Sequence, residues 1–250
     1  MCGRVVQASP PDILSLRIVE GRGDPSGDRF RNTPPRYNGA PSQDFLVGRF
    51  NPETGERSMD LVRWGLVPSW AKDRKIAWKL INARGETVQT TPAFKKAFGT
   101  RRALLPVDGF YEWKKVGKEK RPYAIGMADG SPFTLAALWE NWKDPDSGEW
   151  LRTFTIVTTA ANALVAGLHD RMPVIVAAED RGRWLSGEDA AELLRPYPAD
   201  LMTMYPVSQR VNSPKNDGPE LLDPIAEDPE PTGHVEPVNE AAPGEPANSE

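Results

Sequence analysis

Between residues 101 and 177 the chain runs through five short stretches: "RRALLPVDGFYEWKKV", "RPYAIGMA", "FTLAALWENW", "LRTFTIVTTA" and "RMPVIVA". Each is rich in β-branched and aromatic residues, the composition of strands. Earlier in the chain "DFLVGRF" and "SMDLVRWGLVP" read the same way, with "NPETGE" as a hairpin connection between them. Turns, and no regular crossover helices, separate these runs. That disfavours a doubly wound parallel sheet and points to an α+β fold. The expected architecture is a mostly antiparallel sheet with a barrel-like core, flanked by short helices. The helix candidates are "PDILSLRIVE" (11–20), "TPAFKKAFG" begun by Thr-Pro and stopped by Gly99, "NALVAGL", "AEDRGRWLS" and "EDAAELLRPY". Residues 21–44, rich in Gly, Pro, Arg and Asn, read as mostly loop.

Residues 1–223 hold no clear linker and read as one domain. Residues 224–250 are rich in Pro, Glu and Ala and nearly free of large apolar side chains. Such a segment cannot bury enough surface to offset its ordering entropy, so it reads as a disordered acidic tail, with His234 inert inside it. The tail distorts the charge balance. The whole chain has 31 basic and 35 acidic residues, a net of -4, but seven of the acids and none of the Lys or Arg lie in 224–250. The body therefore carries 31 basic against 28 acidic residues, about +3, which leaves nucleic-acid binding open. One cysteine excludes an internal disulfide, and two histidines make a Cys/His zinc site hard to build. No metal and no cofactor is expected. Neither a secretory signal nor an apolar run of about 18 residues is visible, so the expectation is a cytoplasmic protein without membrane contact.

The single cysteine stands at position 2. Chain ends are usually frayed, so packing rarely explains a cysteine there. An initiator Met before a small residue is generally removed, and its removal would leave Cys2 with a free α-amine. Amine and thiol then have ordinary pKa values of about 7.7–8.0 and 8.5. An aldehyde can react with both, first forming a Schiff base and then a thiazolidine ring. A second possibility is an N-terminal nucleophile attacking a carbonyl with its own amine as base. A chance cysteine is the third.

Four other places are candidates. In "YEW", Glu112 sits between aromatics, and desolvation would suit it as a general acid; a solvated glutamate paired with Lys114 or an Arg is the plainer alternative. In "INARGET", Asn82, Arg84 and Glu86 share one face if extended, either as a site or as the wet side of a strand. His169 in "LHDRMPVIV" precedes a buried strand, beside Asp170 and Arg171. "RYNGAPSQ" and "RWGLVPSWAKD" combine Arg, aromatics and Pro in loop-like stretches that suit phosphates and unpaired bases, or simply make turns.

Taken in order, "MCGR", "RYNGAPSQ", "WGLVPSWAKD", "INARGET", "LLPVDGFYEW", "TIVTTAAN", "LHDRMPV" and "PVSQRVNSPKND" closely resemble the SOS-response-associated peptidase (SRAP) family, from residue 2 to about 223. The resemblance implies abasic-site processing. Such proteins bind abasic sites in single-stranded DNA and crosslink to them through an N-terminal cysteine as a thiazolidine, which protects the lesion from strand cleavage. It implies Cys2, Asn82, Glu112 and His169 as catalytic residues. It implies phosphate and strand contacts at Arg4, Asn38, Arg84 and Arg171, and a base-stacking or wedge surface at Pro41 and Trp70. Some members have a tryptophan directly after the position of Trp70, where this chain has Ala71. The implied partner is abasic single-stranded DNA, with replication-fork proteins as further candidates, and the protein is expected to be monomeric and, if bacterial, nucleoid-associated. The alternatives are a thiol peptidase or amidase using Cys2, including self-processing, and a non-catalytic single-strand binding module.

Overall fold

The computed structural model describes residues 2–11, 14, 30, 32–50 and 57–226. Thirteen strands are found among them. They are β1 (Val5–Gln7), β2 (Arg36–Gly39), β3 (Asp44–Phe50), β4 (Arg57–Trp64), β5 (Asn82–Arg84), β6 (Arg102–Val107), β7 (Gly109–Val116), β8 (Glu119–Met127), β9 (Phe133–Lys143), β10 (Trp150–Ala160), β11 (Arg171–Pro173), β12 (Ile175–Val176) and β13 (Met202–Pro206). Two α-helices lie wholly within the described residues, α1 (Lys95–Thr100) and α2 (Arg181–Ser186).

The strands form two sheets. One is antiparallel throughout, in the order β13-β8-β7-β1-β2. In the other, β10, β4, β3, β6 and β9 follow one another, and β9 pairs back to β10. That last pairing closes a five-stranded barrel, which removes its sheet edges. The expected α+β fold with a barrel-like core is what the chain adopts. The antiparallel expectation has one local exception: β10 runs parallel to both β4 and β5.

Alternating side chains sort the barrel strands into an inside and an outside. Phe45, Val47, Trp64, Leu105 and Phe154 point inward to one core cluster. Leu46, Leu104, Leu138 and Val157 point outward and are covered by a second cluster that includes Trp184 of α2. Both faces are buried, which is why these strands carry near-continuous apolar runs. Inside, Trp64 stacks on Phe154 with centroids 6.1 Å apart, and Phe45 meets both rings edge-on.

Several expectations need correction. "RRALLPVDGFYEWKKV" is two strands in different sheets. Asp108 separates them, and its carboxylate accepts the Ala8 and Ser9 N–H groups at 2.6 and 2.8 Å. "RYNG" is strand β2, where loop was expected. The strand at "SMDLVRWGLVP" stops at Trp64. Helix α1 runs through Gly99 and ends at Thr100, with the Arg101 N–H returning to the Ala97 carbonyl. Of the later helix candidates only Arg181–Ser186 is α-helical; Val165–Gly167, Ala178–Asp180 and Ala190–Leu193 are single 3-10 turns. Pro224 bridges to Val207, and the Ile225 N–H donates to the Pro206 carbonyl, so residues at the start of the acidic tail are tied to β13. The helix candidate at 11–20, the "NPETGE" connection and residues 227–250 lie outside the described residues, apart from Pro11 and Leu14. No helix among the described residues is long and apolar enough to cross a membrane.

One departure from regular structure shapes the site. β4 and β5 lie end to end along β10: Arg63 and Trp64 pair with Thr153 and Phe154, and Asn82 to Arg84 pair with Ile156 to Thr158. Residues 65–81 leave this line and return to it. The exit is Gly65, at φ +114°, where a Cβ would sit 3.1 Å from the Ala77 carbonyl oxygen. L-residues rarely hold that conformation. Gly65→Ala should therefore cost about 1–3 kcal/mol, read as a lower urea midpoint at unchanged slope. An unchanged midpoint would contradict this account of the exit.

Candidate active site

Cys2 is not frayed. The Tyr111 N–H donates to the Arg4 carbonyl at 3.0 Å, carrying the β1–β7 ladder back toward the chain start. The Cys2 carbonyl accepts from Asn82 Nδ2 at 2.8 Å. β1 belongs to the antiparallel sheet, and β5 pairs with β10 in the sheet that forms the barrel, so this bond ties the two sheets together at residue 2. Cys2 itself has no exposed surface and shares the inner core cluster with Trp64 and Phe154.

Burial is the larger of two causes that push the Cys2 thiol well above its usual range; the second is the negative charge of Glu112. Glu112 lies on β7 opposite Tyr123 and is 3% exposed. Glu112 is therefore buried, not solvated. Asn82 Oδ1 is buried with no hydrogen-bond partner among the described residues, beside the Cys2 backbone it helps to hold. A buried acceptor left open is costly, so it marks a place where a donor is wanted.

His169 follows a 3-10 turn, and its N–H donates to the Val165 carbonyl at 3.0 Å. Its Nδ1 accepts the Arg171 N–H at 2.9 Å and also lies 2.7 Å from Asp170 Oδ1. One lone pair cannot take the first and donate a proton to the second. The Asp170 side chain is mostly exposed and screened by water, whereas the Arg171 N–H is fixed at the start of β11. The backbone bond therefore decides the tautomer of the neutral ring, with the proton on Nε2. Arg171 in turn clamps Glu86 with two hydrogen bonds, 2.6 and 2.9 Å, and donates to the Thr158 carbonyl at 2.8 Å. This pair holds the Glu86 carboxyl below its usual range. "INARGET" and "HDRMP" thus meet across β10.

The residues expected at the DNA surface divide into two groups. Arg84 is exposed at the end of β5. Pro41 lines a groove of about 340 Å³ together with Arg63, Arg74, Lys75, Trp78 and Ile81. Trp70 is exposed but stands outside the groove lining. Asn38 is buried and Arg4 half-buried, and both are tied to the segment around 211–216. Arg4 Nη1 donates to Asn38 Oδ1 at 2.8 Å and to the Val211 carbonyl at 2.9 Å. Asn38 Nδ2 donates to the Val211, Ser213 and Asn216 carbonyls. At 1% exposure, Asn38 serves to anchor the 211–216 segment rather than to touch a ligand directly.

Trp78, Arg74 and Lys75 went unnoticed in the sequence. They sit on the 3-10 helix Arg74–Lys79, capped by Asp73, whose carboxylate accepts the Lys75 N–H at 2.8 Å. The signal was present: "KDRKIAWK" holds four basic residues and a tryptophan against one acid. Trp78 is 66% exposed, unusual for so large an apolar side chain. The groove floor adjoins the site, because Trp64 Nε1 donates to the Ile81 carbonyl at 2.8 Å, one residue before Asn82. Among the described residues no cluster of His, Cys, Asp and Glu is arranged to hold a metal.

The family model described as "SOS response associated peptidase (SRAP)" matches residues 1–214. The "Abasic site processing protein YoqW" of Bacillus subtilis is 42% identical over 229 residues, covering 89% of this chain and 99% of its own. The "Abasic site processing protein YedK" of Escherichia coli is 34% identical over 241 residues, covering 90% and 100%. A crystal structure of a protein from Bacteroides thetaiotaomicron superimposes with a TM-score of 0.76 at 24% identity, covering 89% of this chain and all of that one. It shares the fold.

Proposed function

The chain belongs to the SOS response associated peptidase family, and from that premise we propose that it senses abasic sites in single-stranded DNA and links to them covalently through Cys2. The unit responsible is residues 1–223. Family membership and the relatives' names support a role in abasic-site DNA repair. The covalent step rests chiefly on one observation. A cysteine at residue 2 is fully buried, pinned through its own carbonyl by Asn82, and within electrostatic reach of a buried glutamate.

The proposed chemistry uses the groups as they lie. Removal of Met1 gives Cys2 an α-amine beside its thiol. An abasic deoxyribose is mostly a closed hemiacetal; Glu112 in its protonated form would give a proton to the ring oxygen as the bond from C1 to that oxygen breaks, and the C1 hydroxyl would return a proton to the carboxylate as it becomes the aldehyde. The amine adds to the aldehyde carbon, and loss of water leaves a C=N bond. Cys2 Sγ then adds to that carbon while the thiol proton passes to the nitrogen. A five-membered ring closes, and one water is released in all. Asn82 keeps the Cys2 backbone still, and its open Oδ1 is an acceptor for the amine N–H. His169, with Nδ1 engaged by Arg171, would move protons through Nε2. Arg84 and the Trp78 groove supply cations for phosphates and a face for stacking.

A cysteine peptidase working in trans needs a thiol held low, as a thiolate. With Met1 still in place, burial and Glu112 hold the Cys2 thiol high, which does not suit that alternative.

The test is a denaturing gel. Protein mixed with single-stranded DNA carrying one abasic site should give a slow band that survives denaturation, and the same undamaged strand should give none. Absence of the band with the abasic strand would sink the proposal.

A further inference from the structure

We propose that the bound single strand continues from the Trp78 groove onto a second stacking subsite built by Trp150 and Arg152 at the far end of β10. The inference rests on the reading of single-stranded DNA as the ligand, and extends where that strand runs.

β10 serves as a ruler. Its residue Ile156 pairs with Asn82 of the Cys2 site, and its residues Thr153 and Phe154 pair with Arg63 and Trp64 of the groove. Trp150 begins the strand, six residues before Ile156. At strand rise this is ~20 Å, or about six nucleotides at stacked spacing.

The surface between the two ends is continuous. A second groove, of about 600 Å³, shares Arg63 and Leu151 with the Trp78 groove and ends at Trp150 and Arg152. Its chemistry is that of a strand-binding track. Trp150 is 69% exposed, with Lys143 Nζ 5.9 Å from its ring, and Leu61 beside it is 48% exposed. Large apolar side chains left in water invite a partner. Arg63 and Arg152 keep nearly half of their side-chain surface exposed, although Arg63 reaches Asp44 at 4.0 Å and Arg152 reaches Asp60 at 3.3 Å. Asp60 is already paired with Arg49. Lys143 near the indole, with Arg63 and Arg152 along the same groove, suits phosphates on either side of a stacked base.

Binding to undamaged oligonucleotides tests this without the covalent step. Fluorescence anisotropy would compare strands of about five and about fifteen nucleotides, within the range of known single-strand site sizes. Trp150→Ala should weaken the long strand by about five- to tenfold, the low end for one stacked base, and leave the short one unchanged. Trp150→Phe should retain most of the affinity, because any π-face can stack. Arg152→Gln should reduce the salt slope on the long strand by about one. Long-strand affinity that Trp150→Ala leaves unchanged overturns the inference. So does self-association that Trp150→Ala abolishes while DNA binding stays intact, which would assign the face to a second copy of the chain. The covalent reading fails separately: a wild type that gives no band on a short abasic strand overturns that reading, whatever Trp150 does.

Discussion

A leucine inserted between Met1 and Cys2 should abolish the covalent product, while Cys2→Ser should leave one that only reduction reveals. The two variants divide the proposed chemistry between two atoms of one residue. With leucine ahead of it, Cys2 keeps its thiol, but its nitrogen is an amide and cannot form a Schiff base. The thiol alone gives a hemithioacetal that falls apart on denaturation. In Cys2→Ser the amine survives and forms the Schiff base, but no sulfur closes the ring. That product hydrolyses on the gel unless borohydride has reduced it. Amine and thiol on one residue make closure intramolecular, an advantage of at least about 10²-fold that either variant forfeits. The measurement is band yield with and without borohydride, at matched thermal stability. A full band from the leucine variant would refute the aminothiol mechanism, since a thiol acting alone would then suffice.

The burial of Cys2 bears on how such a residue can be read from sequence. Its isolation as the one cysteine, a single residue from Met1, was visible. That it lies in the core was not, because two partners distant in sequence hold it: Tyr111, which pairs with Arg4, and Asn82 on the other sheet. Glu112 was visible as an acid among aromatics, yet its burial depends on β7 lying against both β1 and β8. The strand content was legible because both faces of the barrel strands are apolar. The division at Asp108 was hidden for the same reason: alternation continues through it, and only the Ala8 and Ser9 N–H groups give it away. Asn38 looked like a strand contact within "RYNGAPSQ". It is closed off by a segment more than 170 residues later in the chain, a partnership that no local pattern encodes. Trp78 escaped notice because it lies between "WGLVPSWAKD" and "INARGET", in a stretch to which no element or motif was assigned. Gly65 alone, at the end of β4, hinted that the chain leaves the sheet there to build a groove.

Glu112→Gln should slow crosslinking by about 10²–10⁴-fold, the usual worth of a positioned acid, and should at the same time make Cys2 more reactive toward iodoacetamide. The opposite signs are the point. Glutamine keeps the shape of the side chain but replaces both forms of the glutamate, the protonated one that gives a proton to the sugar ring oxygen and the ionised one that carries a negative charge. Loss of the acid slows ring opening. Loss of the charge removes the second of the two causes that hold the thiol up, so more thiolate is present at a given pH. Burial, the first cause, remains, so alkylation in the variant should still lag a free cysteine. In the wild type the alkylation rate should go on rising about tenfold per pH unit past 8.5, the ordinary thiol pKa, without a plateau there. A glutamate that merely packed would behave otherwise. Its replacement would loosen the site, lower thermal stability and expose the thiol, and crosslinking would then follow stability. Slower crosslinking with faster alkylation at unchanged unfolding temperature separates the two cases. It would also show why a thiol meant to close a ring is kept neutral beforehand. In the proposed reaction sequence, protonation of the new C=N bond would place an iminium cation beside the thiol on the same residue; that opposite charge would lower the thiol pKa, so the sulfur would become a nucleophile only once the aldehyde has been captured.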